Sequence, residues 1–364
     1  MPEIWLSYGH TDVVLDIRAE NLDKKIEPRG TNLTDAEIAA KLEQLDLAKP
    51  AEFVILNYSK AVEKVISLLI ERYDKQSIPK PKVLVDKYML SVVKKVFSNS
   101  GLTISEFDEE ELTNSDLVFV GELEFDGLFG YDTISTKLVR RFGKDHMLTA
   151  YEKRKGDLPS PGEDLANIAV AQKFTDAFEI SAVEIVANSL GIIDLSTGHP
   201  SSTSSVSKSL LSIAKTEEEK HRSMIISTGK ESSGRTLGKS LTSLWNCAES
   251  IKEEGLAILL AECGGGVGSE AIQQYMEGRM SLDRLKSPAK YVDGMEDLLF
   301  LTEIEKKFHI GMVSILPEFY TKDKLNMLTF NGIKEAVDHI LKAQGARQKI
   351  AVVPDGSHVL LRQY

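Results

Sequence analysis

Between residues 53 and 353 the chain alternates short apolar runs with longer stretches whose apolar residues recur at helical spacing. No other feature narrows its fold as far. Phe53-Val54-Ile55-Leu56-Asn57 is a strand pattern, and Ser59 then caps a segment with Val62, Val65, Ile66 and Leu69 on one helical face. A strand, a helix and a further strand need a crossover, and crossovers lay strands parallel with helices on the sheet faces. Strands are expected over 83–85, 117–120, 181–187, 191–195, 223–227, 256–262, 310–316 and 349–353. Helices are expected over 88–98, 132–142, 164–176, 237–253, 269–278 and 289–307, and from Asn331 to Gly345. The expected class is α/β with mostly parallel sheets.

Ahead of this series, residues 3–8 and 11–17 read as a hairpin turning at Gly9-His10. Thr34-Asp35-Ala36-Glu37 is a capping box opening a helix to about Leu47. A length of 364 residues suggests two domains at about 150 residues each. The charged connector "KTEEEKHR", 215–222, divides them. The expected division is a first domain over 1–216, a second over 222–354, and a tail over 355–364 that returns to the first. A ligand would lie in the cleft between the two.

The net charge of −11 argues against nucleic acid as a partner, because phosphate backbones need a concentrated basic surface. A small anionic metabolite needs only a few local cations and stays compatible. Two cysteines, Cys247 and Cys263, are too few for a disulfide framework or a cysteine zinc site. No apolar run reaches the ~18 residues of a membrane helix and no signal peptide opens the chain, so the sequence reads as a cytoplasmic protein with no membrane partner. Other copies of the chain, in a homo-oligomer, are the remaining expected partners.

Two glycine-rich loops follow strand patterns in the second half. "TGKESSGRTLGKSL", 228–241, ends like a phosphate-binding P-loop, but the required first glycine is Ser233 and Gly234 stands one residue too close. "AECGGGVGSEA", 261–271, fits a loose dinucleotide fingerprint over Gly266–Ala271, without the acidic strand that should follow. Both loops sit at strand ends of one parallel sheet and are expected to line one mouth. No H-E-x-x-H metal pattern and no G-x-S-x-G elbow occurs. His10, His221, His309, His339 and His358 show no partner spacing.

Five segments together carry a family likeness: "IWLSYGHTDVVLDIRAENL", "DLVFVGELEFDGLFGYDTISTKL", "ANSLGIIDLSTGHP", the stretch from "IISTGKES" to "QQYMEGR", and "KIAVVPDGSHVLL". In order and spacing they resemble the nickel-dependent lactate racemase family, over nearly the whole chain. The resemblance implies a racemase or epimerase acting on a 2-hydroxy acid or sugar acid. It further implies a nickel pincer nucleotide attached to a lysine, a histidine ligand to the nickel, two histidine bases and an arginine that holds the substrate.

Several of those positions differ in this chain. Asn57-Tyr58-Ser59-Lys60-Ala61 stands where the family has S-D-x-T-R, so the arginine is absent and Lys60 is the nearest cation. "LVDKYML" occupies the place of G-T-H-R, Asp126 that of a histidine, and Thr136, beside Lys137, that of the attachment lysine. The candidate set is therefore Asp126, His146 and His199 for catalysis, and Lys60, Lys239, Ser232 and Arg235 for substrate. Lys137, Gly264 and Gly266 are the cofactor candidates, with His146 as the metal ligand. Simpler readings stay open beside these. Lys137 with Arg140 and Arg141 reads equally as a solvated basic face, Asp126 as a turn cap before Gly127, and Glu262 and Cys263 as residues fixing a loop. Two further functions stay open as well, a repurposed homologue binding an anionic metabolite and a nucleotide-binding enzyme using the 229–240 loop.

Overall fold

Six strands of the first half form one sheet, and five of the second half form another together with one strand from the opening residues, among the residues described in this computed structural model: 3–45, 51–113, 116–202, 205–229 and 231–363, with backbone only at Thr113, Ser205, Glu231 and Ser232. In chain order the strands are β1 (Glu3–Tyr8), β2 (Thr11–Asp16), β3 (Leu22–Lys25), β4 (Glu52–Ile55), β5 (Lys82–Val85) and β6 (Thr103–Glu106). Then come β7 (Leu117–Glu122), β8 (Glu124–Asp126), β9 (Gly130–Asp132), β10 (Ser181–Asn188), β11 (Gly191–Gly198) and β12 (Lys215–Glu218). The series ends with β13 (His221–Ser227), β14 (Ile251–Leu260), β15 (His309–Val313), β16 (Leu328–Phe330), β17 (Ile350–Val353) and β18 (Leu360–Gln363).

The first sheet has the order β11-β10-β7-β4-β5-β6, parallel except for the β10–β11 hairpin. The second has the order β16-β15-β14-β13-β17-β3 and is parallel throughout. The α/β class read from the alternation is thus observed. Its helices form where the sequence supplies caps and an apolar stripe. Ser59 Oγ accepts from Val62 N at 3.2 Å, and the helix Lys60–Gln76 buries Val62, Val65, Ile66, Leu69 and Tyr73 against Phe53 and Ile55 of β4. Thr34 and Glu37 make both bonds of the capping box, although that helix ends at Leu42; residues 46–50 lie outside the described residues.

Each sheet has one point where the strand order reverses. In the first, the chain runs outward from β4 to β6 and returns with β7 on the other side of β4. In the second, it runs from β13 to β16 and returns with β17 on the other side of β13. Crevices at such reversals, beyond the carboxyl ends of the strands, are where open α/β sheets bind ligands.

Several elements depart from the sequence expectation. The helix placed over 237–253 stops at Cys247, because residues from Ile251 already pair in β14. The segment 289–307 is helical only over Met295–Ile304, and Gly332 rather than Asn331 is the cap of the last helix. The charged connector contains a strand, β12, which pairs in parallel with β18 of the tail. Leu360 of that tail packs among Leu123, Phe125, Val206 and Leu210 of the first half.

The opening residues join the second sheet. β3 is its outer strand, with Leu22 opposite Ile350, and Ile26 N donates to Val352 O at 2.8 Å. The β1–β2 hairpin covers one face of that sheet: Ile4, Leu6, Leu15 and Ile17 bury against Ile225, Leu256, Ile258 and Val352. Leu6 is fully buried in this contact. Leu6→Ala is expected to lower unfolding free energy by about 2–5 kcal/mol in urea titrations, as for other leucines removed from packed cores. A loss below ~1 kcal/mol would show that the hairpin only rests on the sheet.

Candidate functional site

A cavity of about 550 Å³ opens between the two sheets, beside the reversal point of the first. One side is lined by Asn57 after β4, Asp86 after β5, Glu124 and Asp126 of β8, and Lys137, Arg140 and Arg141 of the helix Ile134–Phe142. The other side comes from the second half, through Lys239, Thr242, Asp293 and Ser357. Thr133 caps the helix Ile134–Phe142, its hydroxyl accepting from Thr136 N at 3.2 Å. Spacings of three and four residues then put Lys137, Arg140 and Arg141 on one face. That face turns into the cleft rather than to solvent.

All three cations are held. Lys137 Nζ donates to Glu122 O at 2.9 Å and to Asp132 O, and sits 3.0 Å from Asp132 Oδ2. Arg140 spans the two halves: it donates to Asp126 Oδ2 at 2.7 Å and, through its other terminal nitrogen, to Glu296. Arg141 pairs with Asp86 and donates to Phe107 O at 3.2 Å. Asp126 is equally engaged. Its Oδ1 accepts from Leu128 N at 2.8 Å and from Phe129 N at 2.7 Å, closing the turn at Gly127.

A second bridge between the halves is made by His358, just beyond β17. Its Nε2 lies 3.1 Å from Glu122 Oε1 at the end of β7, and its Nδ1 lies 2.9 Å from Asp355 Oδ1. Burial opposes charge on the ring, but Asp355 and Glu122 outweigh it and raise His358 well above its usual range. Burial likewise opposes ionisation of Asp355, yet the His358 charge and the hydrogen bonds it receives hold that carboxyl below its usual range. The ring is therefore an imidazolium between two carboxylates. Gly229, at the end of β13, has φ +80°, and a β-carbon there would run into Asp355 Oδ1. Only glycine lets the backbone pass.

Four lining groups are not held in this way. Lys239 Nζ makes no ion pair among the described residues, and the carboxyls of Glu124 and Asp293 have no hydrogen-bond partner among them. Asn57 is 5% exposed, and its buried Oδ1 is unpartnered. Burial raises the Glu124 pKa, against the pull of Lys137 and Lys239. The Asp293 side chain reaches solvent but is crowded by protein, and that partial desolvation, with Glu296 nearby, raises its pKa too.

Of the residues singled out in the sequence, the structure brings Asp126, Lys137 and Lys239 to this cavity. His146 lies in a separate surface groove, edge-on to Phe174. The His199 Nδ1 contacts Ser201 Oγ at 2.8 Å, and its Nε2 meets Phe178 O at 3.1 Å, so both ring nitrogens serve the loop. Lys60 pairs with Glu63 at 2.7 Å on the exposed start of its helix. Arg235 is exposed outside the lining, and the Ser232 side chain lies outside the described residues.

The glycine loops close on each other. Leu237 N donates to Gly266 O at 3.0 Å, Gly238 N to Val267 O at 2.9 Å, and Gly265 N to Arg235 O at 2.7 Å. Thr236 Oγ1 takes the Lys239 N–H at 3.4 Å. A phosphate site at a helix N-terminus needs those N–H groups free, and here each has an acceptor. Gly264 and Gly266 thus belong to a loop packed on its neighbour. Sequence reasoning missed Glu122, Glu124, His358 and Asp355. The signal for the last two was available: an Asp and a His three apart, directly after a strand end.

No protein-family model and no curated protein matches this chain. Among solved structures, the lactate racemase apoprotein from Thermoanaerobacterium thermosaccharolyticum aligns with a TM-score of 0.71 and 17% identity, over 99% of this chain and 100% of that one. The chain thus has the two-sheet α/β fold of that racemase. A pincer nucleotide asks for a free attachment lysine and a free histidine ligand. Thr136 stands at the place the resemblance assigns, and its neighbour Lys137 has three acceptors for its three protons; His146, the ligand candidate, lies in a separate groove, and His358 beside the cavity has both nitrogens on carboxylates. Among the described residues no group of three or more His, Cys, Asp or Glu is placed to hold a metal ion. The residues present do not fit that group.

The His358 bridge has a definite pH signature. A raised histidine pKa contributes stability below about pH 6.5, the unfolded value, and loses it as pH rises through the folded value. The depressed Asp355 contributes above about pH 4 and loses it on acidification. The stability difference between wild type and His358→Gln is therefore expected to peak between about pH 4 and 6.5. It should shrink in alkaline solution, as measured by urea unfolding across pH. A difference that stays flat with pH would remove the imidazolium assignment.

Proposed function

We propose that the chain is a racemase- or epimerase-like isomerase that binds a 2-hydroxy acid or sugar acid in the cavity between its sheets. The observation that carries this reading is a cation, Lys239, and a carboxyl, Glu124, that face one cleft of a racemase-like fold and have no ion-pair or hydrogen-bond partner among the described residues. Lys239 holds the substrate carboxylate, as a point charge rather than a two-pronged fork. Without a hydride acceptor, inverting a carbon centre takes a proton from one side and returns one on the other. Glu124 comes from the first half and Asp293 from the second, and both are shifted toward the range where a carboxyl gives up and regains a proton. Asp126, the base expected from the sequence, instead positions Arg140.

A second reading, a repurposed homologue that binds an anionic metabolite without turnover, draws on the saturation of Lys137 and His358. One set of measurements separates the two. Hydroxy and sugar acids are incubated with the protein in deuterium oxide, and solvent deuterium at C2 is followed by NMR while binding is followed by calorimetry. Glu124→Gln is expected to bind normally and to exchange about 10²–10⁴-fold more slowly. Lys239→Ala is expected to weaken binding about 10–100-fold, the range for a lost charged hydrogen bond. Binding without exchange in the wild type would favour the second reading, and full affinity in Lys239→Ala would remove both.

A further inference from the structure

Resting on the assignment of the cleft to a hydroxy or sugar acid, we infer that its ligand is a polyhydroxylated carboxylate of five or six carbons, and that Asn57 selects it by hydrogen-bonding a hydroxyl remote from the carboxylate. The first argument is size. A cavity of about 550 Å³ lies within the range of pockets that enclose drug-sized molecules. A three-carbon acid would leave most of it to water.

The second argument is the balance of donors and acceptors. Lys137, Arg140 and Arg141 are consumed by Asp132, Asp126, Glu296 and Asp86. Among the described lining residues, what remains unpaired is one cation, Lys239, against the oxygens of Glu124, Asp293 and Asn57. The ligand must bring one negative group and several donors. Hydroxyls meet this need and ammonium does so less well. The Asn57 amide presents an acceptor and a donor side by side, and a hydroxyl can answer both whereas an ammonium only donates.

The third argument is placement. Asn57 follows β4 and lies over Gly121 of β7, where a β-carbon would come within 3.2 Å of its Oδ1. The bare glycine makes room for the amide at the reversal point of the sheet. A buried amide oxygen left without a partner costs free energy unless a ligand or water supplies one. Tyr88, 77% exposed at the rim, adds an aromatic face against which the C–H side of a sugar chain can pack.

Calorimetric titration of the purified protein with D-gluconate, D-glucuronate, D- and L-lactate, sorbitol and glucosamine tests the inference. The six-carbon acids are expected to bind at least about tenfold more tightly than lactate, the effect of about one well-made hydrogen bond. Asn57→Ala should remove most of that preference while leaving lactate affinity within about twofold. Asn57→Ser, which keeps a hydroxyl, and the wild-type ratio carry the test if the alanine variant does not fold. Equal binding of gluconate and lactate by the wild type would overturn this inference and leave the proposed function standing. Sorbitol or glucosamine binding as tightly as gluconate would overturn it through the carboxylate requirement. Binding of none of the acids would overturn the proposed function itself.

Discussion

His358 is the point at which the two sheets become one machine. The ring sits between Glu122, at the end of β7, and Asp355, just after β17. Each of those strands borders the reversal point of its own sheet. Without a cation between them, two buried carboxylates would face each other at the interface, at a cost neither sheet could offset locally. The same backbone stretch carries Ser357 into the cavity lining, so the bridge and the site share their framework. Arg140 repeats the arrangement on the other side, joining Asp126 to Glu296. The cavity is thus walled by charges that neutralise one another, and that is why the few left over are informative.

The held groups also separate the scaffold from the chemistry that the racemase likeness suggests. A lysine with all its protons donated is poorly set to become an attachment point, and a histidine clamped by two carboxylates is poorly set to bind a metal. What the fold shares with that racemase is its α/β architecture, here two mostly parallel sheets.

Much of the architecture was legible because it depends on local rules. Ser59, Thr34 and the apolar stripe from Val62 to Leu69 announce their helices through caps and spacing alone. The α/β class follows from alternation. The short strands β3, β12 and β18 were not legible, since none carries the unbroken apolar run that marks β4, β5 or β17 and their pairing is decided by distant partners. The site was read only in part for the same reason. Lys137 and Lys239 reach it, but the basic face of Lys137, Arg140 and Arg141 looks solvated until one sees which way its helix is turned. Asp126 and Glu124 stand two apart on one short strand. Nothing in the sequence says which is bound by Arg140 and which is left free.

The place of β3 has a consequence for how the chain is made. Its hydrogen-bond partner, β17, lies at the opposite end of the sequence, and the hairpin ahead of it packs on strands from the second half. Residues 3–25 therefore have no home until β17, at Ile350–Val353, has been synthesised. Contacts so far apart in sequence are slow to form, because a long loop must close before they give anything back. The first sheet contains no strand from either end and can assemble while synthesis continues. The second must wait with an apolar hairpin uncovered. During that interval this protein depends most on whatever keeps nascent chains from associating.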